Sequence, residues 1–285
     1  MKRIAFILLL ITMLLVPLGA TKRALVIGVG SYPSQSGWDK IHGDKDISLV
    51  RDMLLQNGFR QQDVVELKNE AATAMAIRKA LSTLTKVACP GDVIYIHFSG
   101  HGQRVTDVNG DEKDCYDESW VAYDAQSKYV KGLYEGSNHI LDDELALNLS
   151  QIRAKIGANG KLVIVADACH SGGGSRGEDG EEKLVARGAS SAFVIPGNHK
   201  PYTQTSTSVD WVFISACKSY QTNYEYKGNG SLTYILYSLR EKLSFVSYVD
   251  IKEPITKFVQ NNVYPYYIQT PVFEGPAWVS QLPLF

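Results

Sequence analysis

The sequence predicts an α/β fold built around a parallel sheet, and three observations carry that prediction. Strand-like and helix-like stretches alternate along the first two thirds of the chain, the pattern of βαβ units. The strand candidates are short, continuous apolar runs rich in β-branched residues, the mark of strands covered on both faces. Two of these runs end abruptly in glycine beside a histidine or a cysteine, which is where open α/β sheets place their ligands.

In order, Met1-Lys2-Arg3 precedes the apolar run Ile4 to Val16, and Pro17-Leu-Gly-Ala20 supplies small residues before Thr21. This reads as a cleaved signal peptide over residues 1–20, too short to span a bilayer comfortably and so not a stable membrane anchor. The expected destination is the periplasm or the medium. Ala24 to Val29 is the first central strand. Gly28-Val-Gly30 lacks the third glycine and prompt helix of a dinucleotide fingerprint. Residues 44–57 repeat apolar positions at helical spacing through Ile47, Val50, Met53 and Leu54, and Gly58 stops them. Val64 to Leu67 is a strand, residues 72–87 a second amphipathic helix, and Asp92 to Phe98 a strand that runs into Ser99-Gly-His101-Gly102.

An acidic loop follows over 103–118, then a small hairpin is expected from 119–123 and 128–133. A helix begins at Asp142-Asp143-Glu144 and reaches Ile156, its acids lying where the dipole favours them. Leu162 to Ala166 is the strand that delivers Asp167 and Cys169. Residues 172–209, rich in Gly, Ser and charge, read as a long mobile surface loop. Trp211 to Ala216 is the next core strand, 231–243 and 251–262 are helical, and 269–275 is a short strand or packed extension. No repeat or composition break divides residues 21–285, so one domain is expected. With 285 residues, 45% of them apolar and a net charge of −1, the chain has ample core and no basic field for nucleic acid.

If the strands ending in His101 and Cys169 are neighbours, the two side chains face each other across the sheet edge. A thiol attacks only as thiolate, and a neighbouring imidazole supplies that form. Cys169 is then the nucleophile, His101 the group that activates it or protonates the leaving amine, and the N–H groups of Gly102 and Cys169 the oxyanion hole. His170 is expected to point away from its neighbour, and His97 to be packed inside. Asp167, two residues before the nucleophile, is placed to hold a cationic side chain, best a guanidinium; the competing reading is a strand-end acid satisfied by N–H groups. Asp107, Asn109, Asp111 and Glu118 partly match a calcium loop, but Glu112 stands where an EF-hand needs glycine. Cys217 reads as a small buried hydrophobe, and the pairing of Cys89 with Cys115 is left open.

Phe98-Ser-Gly-His-Gly102, the acidic stretch Asn109 to Glu118 and Asp167-Ala-Cys-His-Ser-Gly172 resemble the metacaspases and their bacterial caspase-like relatives. The likeness extends through Gly43-Asp-Lys-Asp46, Ile140 to Glu144, Ile214 to Glu225, Gly230 to Thr233 and Gln269-Thr-Pro271. It implies a caspase-type α/β sandwich, its mostly parallel sheet flanked by helices on both faces. It implies peptide cleavage by the His101–Cys169 dyad after Arg or Lys, with Asp46 and Asp167 as the acidic pocket. No cofactor is required for such a dyad. Calcium activation is common among such peptidases, and its ligands would map onto Asp117, Asp142 and Asp143. A further acid of the family is missing where this chain has Ser175-Arg176-Gly177. Self-cutting after Arg176, Lys183 or Arg187 is implied as well. The alternative is a catalytically silent module of the same fold that binds basic peptides or a protein partner.

Overall fold

The computed structural model describes residues 19–170, 185–197, 200, 202–203, 210–262 and 269–285. The expected signal segment therefore lies outside the described residues, apart from its last two positions, as do the processing candidates Arg176 and Lys183.

The elements in chain order are β1 (Lys22–Gly28), α1 (Gly43–Gln56), β2 (Val64–Lys68), α2 (Ala74–Val87), β3 (Val93–Ser99), β4 (Gly102–Thr106), β5 (Tyr116–Val121) and β6 (His139–Leu141). Then come α3 (Asp142–Ile156), β7 (Lys161–Asp167), β8 (Val212–Ser215), β9 (Glu225–Tyr226), β10 (Asn229–Gly230), α4 (Ser231–Ser238), α5 (Tyr248–Asn262) and β11 (Val272–Glu274). The main sheet runs β11-β8-β7-β3-β1-β2, parallel throughout except for the antiparallel edge strand β11.

Because side chains alternate across a strand, each central strand feeds two cores. Ala24, Val26, Tyr95, Val163, Val165 and Ile214 pack under α1, α4 and α5. Leu25, Ile27, Ile94, Ile96, Leu162 and Ile164 pack under α2 and α3 on the other face. This is the sandwich that the resemblance implies, built on the parallel sheet that the strand pattern predicts. His97 belongs to the first face, fully buried between the Tyr95 hydroxyl at 3.0 Å and Thr233 Oγ1 at 3.1 Å. Burial holds its imidazole down at about 4, so it is a neutral structural group.

Two expectations change. There is no hairpin between 119–123 and 128–133: β5 pairs instead with β4 on one side and β6 on the other, forming a separate antiparallel sheet. The local alternation is real, but one partner strand precedes β5 in the chain and the other follows it after the 128–133 stretch. Nor is 172–209 one surface loop. Residues 185–189 are buried or half-buried, with Arg187 fully enclosed; Ser190 and Ser191 are exposed, Phe193 is buried again, and Gly188 and Phe193 bridge Gly102 and Val105 of β4. Composition hid this, because the charge of Arg187 is neutralised by acids distant in sequence.

Candidate active site

β3 and β7 are adjacent and in register, Ser99 opposite Asp167. Their carboxyl ends therefore deliver Gly100-His101-Gly102 and Ala168-Cys169 to one edge of the sheet. His101 is buried, stacked on Trp38 at 5.0 Å between ring centroids and tilted against Tyr32 at 5.3 Å. The Tyr32 hydroxyl accepts the His101 N–H at 3.1 Å. His101 Nε2 lies 2.9 Å from the Asp39 carbonyl, so that nitrogen carries the proton, while the buried Nδ1 has no hydrogen-bond partner. Burial lowers the imidazole to about 4, against the pull of the Asp39 carbonyl. A neutral ring with a lone pair at Nδ1 is the form a general base needs.

The Cys169 thiol, also buried, donates to the Gln221 carbonyl. Cys217 Sγ is 3.5 Å from the same oxygen. Cys217 is buried as expected, but it stands beside the candidate nucleophile and contacts it.

What occupies the site is the chain itself. The Arg187 carbonyl accepts from both Cys169 N–H (3.0 Å) and Gly102 N–H (3.3 Å), the pair assigned from sequence to an oxyanion hole. Gly102 has to be glycine here, since a Cβ would stand 2.6 Å from the Cys169 carbonyl oxygen. Along one edge the segment lies like an added antiparallel β-strand against residues 223–225: Arg187 N–H donates to the Asn223 carbonyl, and Glu225 N–H donates to the Val185 carbonyl.

The guanidinium enters a fully buried pocket. Nη1 donates to Asp46 Oδ2 at 2.8 Å, Ser99 Oγ at 2.6 Å and the Asp167 carbonyl at 3.3 Å. Nε and Nη2 both donate to Glu225 Oε1, at 3.0 and 2.9 Å. Burial alone would weaken the cation, but Asp46, Asp167 and Glu225 together hold it charged. Burial pushes Asp46 up to about 6 against the pull of Arg187.

Asp46 and Asp167 are thus brought together, in different roles. The Asp167 carboxylate is taken up by Asn223 Nδ2 (2.8 Å) and by the N–H and hydroxyl of Thr233 (2.7 Å each), and Arg187 Nη1 is 3.7 Å away. Asp46 accepts from Ser99, the Gly230 N–H and Arg187. Sequence reasoning names neither Glu225 as a pocket acid nor the Asp39 carbonyl as the partner of His101. The only available signal for Glu225 was its place in the Ile214 to Glu225 stretch; a backbone carbonyl leaves none.

The acids mapped as calcium ligands are only partly gathered. Asp117 forms a group with Asp107 and Asp111, one oxygen of each lying within 4.8 Å of the others. Asp142 and Asp143 flank this group at the start of α3, and Asn109 Nδ2 donates to Asp143 Oδ2. Both Asp117 carboxylate oxygens and one of Asp111 are buried without a hydrogen-bond partner. Burial, then Asp107 and Asp143, push Asp117 up to about 7; burial, then Glu118 and Asp117, push Asp142 up to about 8. Cys89 and Cys115 are free thiols.

Comparison with known proteins shows the family and the fold. Residues 22–175, just over half the chain, match the model of the metacaspase peptidase C14 domain. The chain is 32% identical over 160 residues to Metacaspase-1B of Aspergillus niger, a match covering 53% of this chain and 33% of that one. It is 32% identical over 161 residues to Metacaspase-1 of Schizosaccharomyces pombe, covering 53% and 34%. The chain thus spans about a third of the length of these relatives. A crystal structure of a Geobacter sulfurreducens protein superposes with a TM-score of 0.63 at 22% identity, covering 93% of this chain and 98% of that one. Caspase-1 of Spodoptera frugiperda does so with 0.58 at 11% identity, covering 90% and 89%. The chain belongs to the metacaspase peptidase C14 family of caspase-like cysteine peptidases.

Proposed function

We propose that this chain is an exported cysteine endopeptidase that cuts after Arg or Lys and that first cuts itself between Arg187 and Gly188. One observation carries the reading: Arg187 is bound as a cleaved residue should be, carbonyl between two N–H donors and cation among carboxylates. Cys169 turns from Gln221 and gives its proton to His101 Nδ1. The thiolate attacks the Arg187 carbonyl carbon, and the Gly102 and Cys169 N–H groups hold the resulting oxyanion. Collapse breaks the peptide bond while His101 passes the proton to the Gly188 nitrogen. Water, deprotonated by His101, then releases the acyl group from sulfur. The test is turnover of Arg-, Lys- and Asp-ended fluorogenic peptides by the wild type and by Cys169→Ala. Cleavage after the basic residues alone, absent in the variant, is expected; cleavage after Asp, or activity that survives the substitution, overturns the reading.

A silent binding module is the second reading, favoured by the completeness with which Arg187 fills the pocket. It predicts a chain that stays uncut.

Export rests on the segment 1–20. Among the described residues no helix is long and apolar enough to cross a membrane. Thr21 N–H already donates to the buried Asp92 Oδ1 at 2.8 Å, so cleavage after Ala20 would put a new ammonium beside a carboxylate. N-terminal sequencing of material recovered outside the cytoplasm is expected to read Thr21 first; Met1 would sink the proposal.

Calcium suits the acidic group, because hard cations take carboxylate oxygens and those of Asp117 have no other partner. Asp107, Asp111 and Asp117 would hold it, with Asp143 alongside. The ion would neutralise crowded charge and brace β5 against β4, the strand that begins at Gly102. Millimolar calcium is expected to raise the melting temperature of the wild type, and Asp117→Asn to remove most of that rise. Equal shifts with and without Asp117 would place the ion elsewhere.

A further inference from the structure

The two ends of the guanidinium are read by different acids. Asp46 and Ser99 take Nη1, whereas Glu225 takes Nε and Nη2 together on one oxygen. Glu225 is built into place for this. Its side chain is 3% exposed, its Oε1 also accepts the His42 N–H at 2.7 Å, and its Oε2 is 2.5 Å from His42 Nδ1. His42 immediately precedes α1, the helix that carries Asp46, so the two acids share one support.

A lysine side chain cannot satisfy both edges. Where arginine has Nε, lysine has a methylene without a donor, and its ammonium is a single point of charge. Placed against Asp46, that point leaves Glu225 buried with no partner from the substrate. A site built to donate or accept rejects an analogue lacking the matching group more strongly than one that merely leaves space.

Accepting that the Arg187 cleft is the substrate cleft, we infer that Glu225 is a specificity-determining residue that makes this enzyme select arginine over lysine at the cleaved position. His42 acts through Glu225 as a positioning residue. Losing the charge-assisted pair on one edge is expected to cost lysine roughly 10- to 100-fold in kcat/KM relative to arginine.

Two measurements test this. In the first, Arg- and Lys-ended peptides differing only at that residue are turned over by the wild type and by Glu225→Gln. The wild type should favour arginine by roughly 10- to 100-fold, and the variant should reduce that ratio about tenfold by losing arginine turnover. Equal use of both peptides by the wild type, or an equal loss on both in the variant, overturns the inference. In the second, the intact Cys169→Ala chain is melted with Arg or Lys at position 187, each with and without Glu225→Gln. The Arg187→Lys substitution should lower the melting temperature, and by less when Glu225 is already Gln; a penalty indifferent to Glu225 overturns the inference. Absence of turnover on any peptide would remove the peptidase reading alone, since the melting cycle still decides how the pocket reads its cation.

Discussion

Purified wild-type chain is expected to separate into two pieces at Arg187–Gly188, and the Cys169→Ala chain to stay whole. Intact mass spectrometry after incubation reads both. The effect should be near all-or-none, since removal of a peptidase nucleophile costs on the order of 10⁶ in rate. The physical case rests on proximity. The peptide carbonyl already accepts from Gly102 and Cys169 N–H groups, its flanking backbone is paired to Asn223 and Glu225, and its side chain is anchored in the pocket. Such an arrangement removes most of the orientational entropy from the chemical step. On the proposed reading the thiol must first leave the Gln221 carbonyl for His101 Nδ1, and that step would limit the cut. Arg187→Ala should abolish cutting at this bond while leaving the dyad untouched. A wild-type chain that stays whole for hours, yet turns over added peptide, would show that the segment leaves the cleft uncut.

The sheet, and the placing of His101 and Cys169 at one of its edges, are legible in the sequence because both rest on local signals. Apolar runs such as Leu162 to Ala166 report burial on two faces, and the glycines after His101 and around Cys169 report where the chain turns. The pocket is only half legible. Asp167 is found from its spacing to Cys169, but Asp46 enters by resemblance alone, and Glu225 is not singled out. Nothing local distinguishes a carboxylate that will meet a guanidinium from one that will meet water. Arg187 is the plainest case. In a stretch of Gly, Ser and charge it reads as a surface cation, and it is buried only because residues 46, 167 and 225 converge on it. The acidic loop shows the same limit: charge density marks Asp107 to Glu118 as a cluster, while the actual grouping of Asp107, Asp111 and Asp117 depends on how the loop folds back onto β5.

The second large effect concerns Asp46, and its sign depends on whether the chain is cut. In the intact Cys169→Ala chain, Asp46→Asn removes the carboxylate closest to Arg187 Nη1 and leaves the guanidinium on Glu225 and the more distant Asp167. Breaking a buried ion pair from one side costs about 3–5 kcal/mol, and at about 2–4 °C per kcal/mol for a chain of this size the melting temperature should fall by roughly 10 °C. Once the segment has been cut and has withdrawn, the same substitution acts in reverse. Asp46 is then a buried acid beside Asp167 with no cation to offset it, and burial already pushes it up to about 6 with Arg187 present. Replacing it by a neutral amide relieves that penalty, so the cut form should melt no lower than the wild-type cut form. Turnover of Arg-ended peptides should nevertheless fall by about 10²-fold, because loss of the charged partner costs about 3 kcal/mol in a buried site. Asp167→Asn should separate from Asp46→Asn in this comparison. Its carboxylate is held by Asn223 and Thr233, so both the intact and the cut forms should lose stability. Parallel behaviour of the two variants would mean that the acids share one role, and that Arg187 is a permanent part of the core rather than the first substrate.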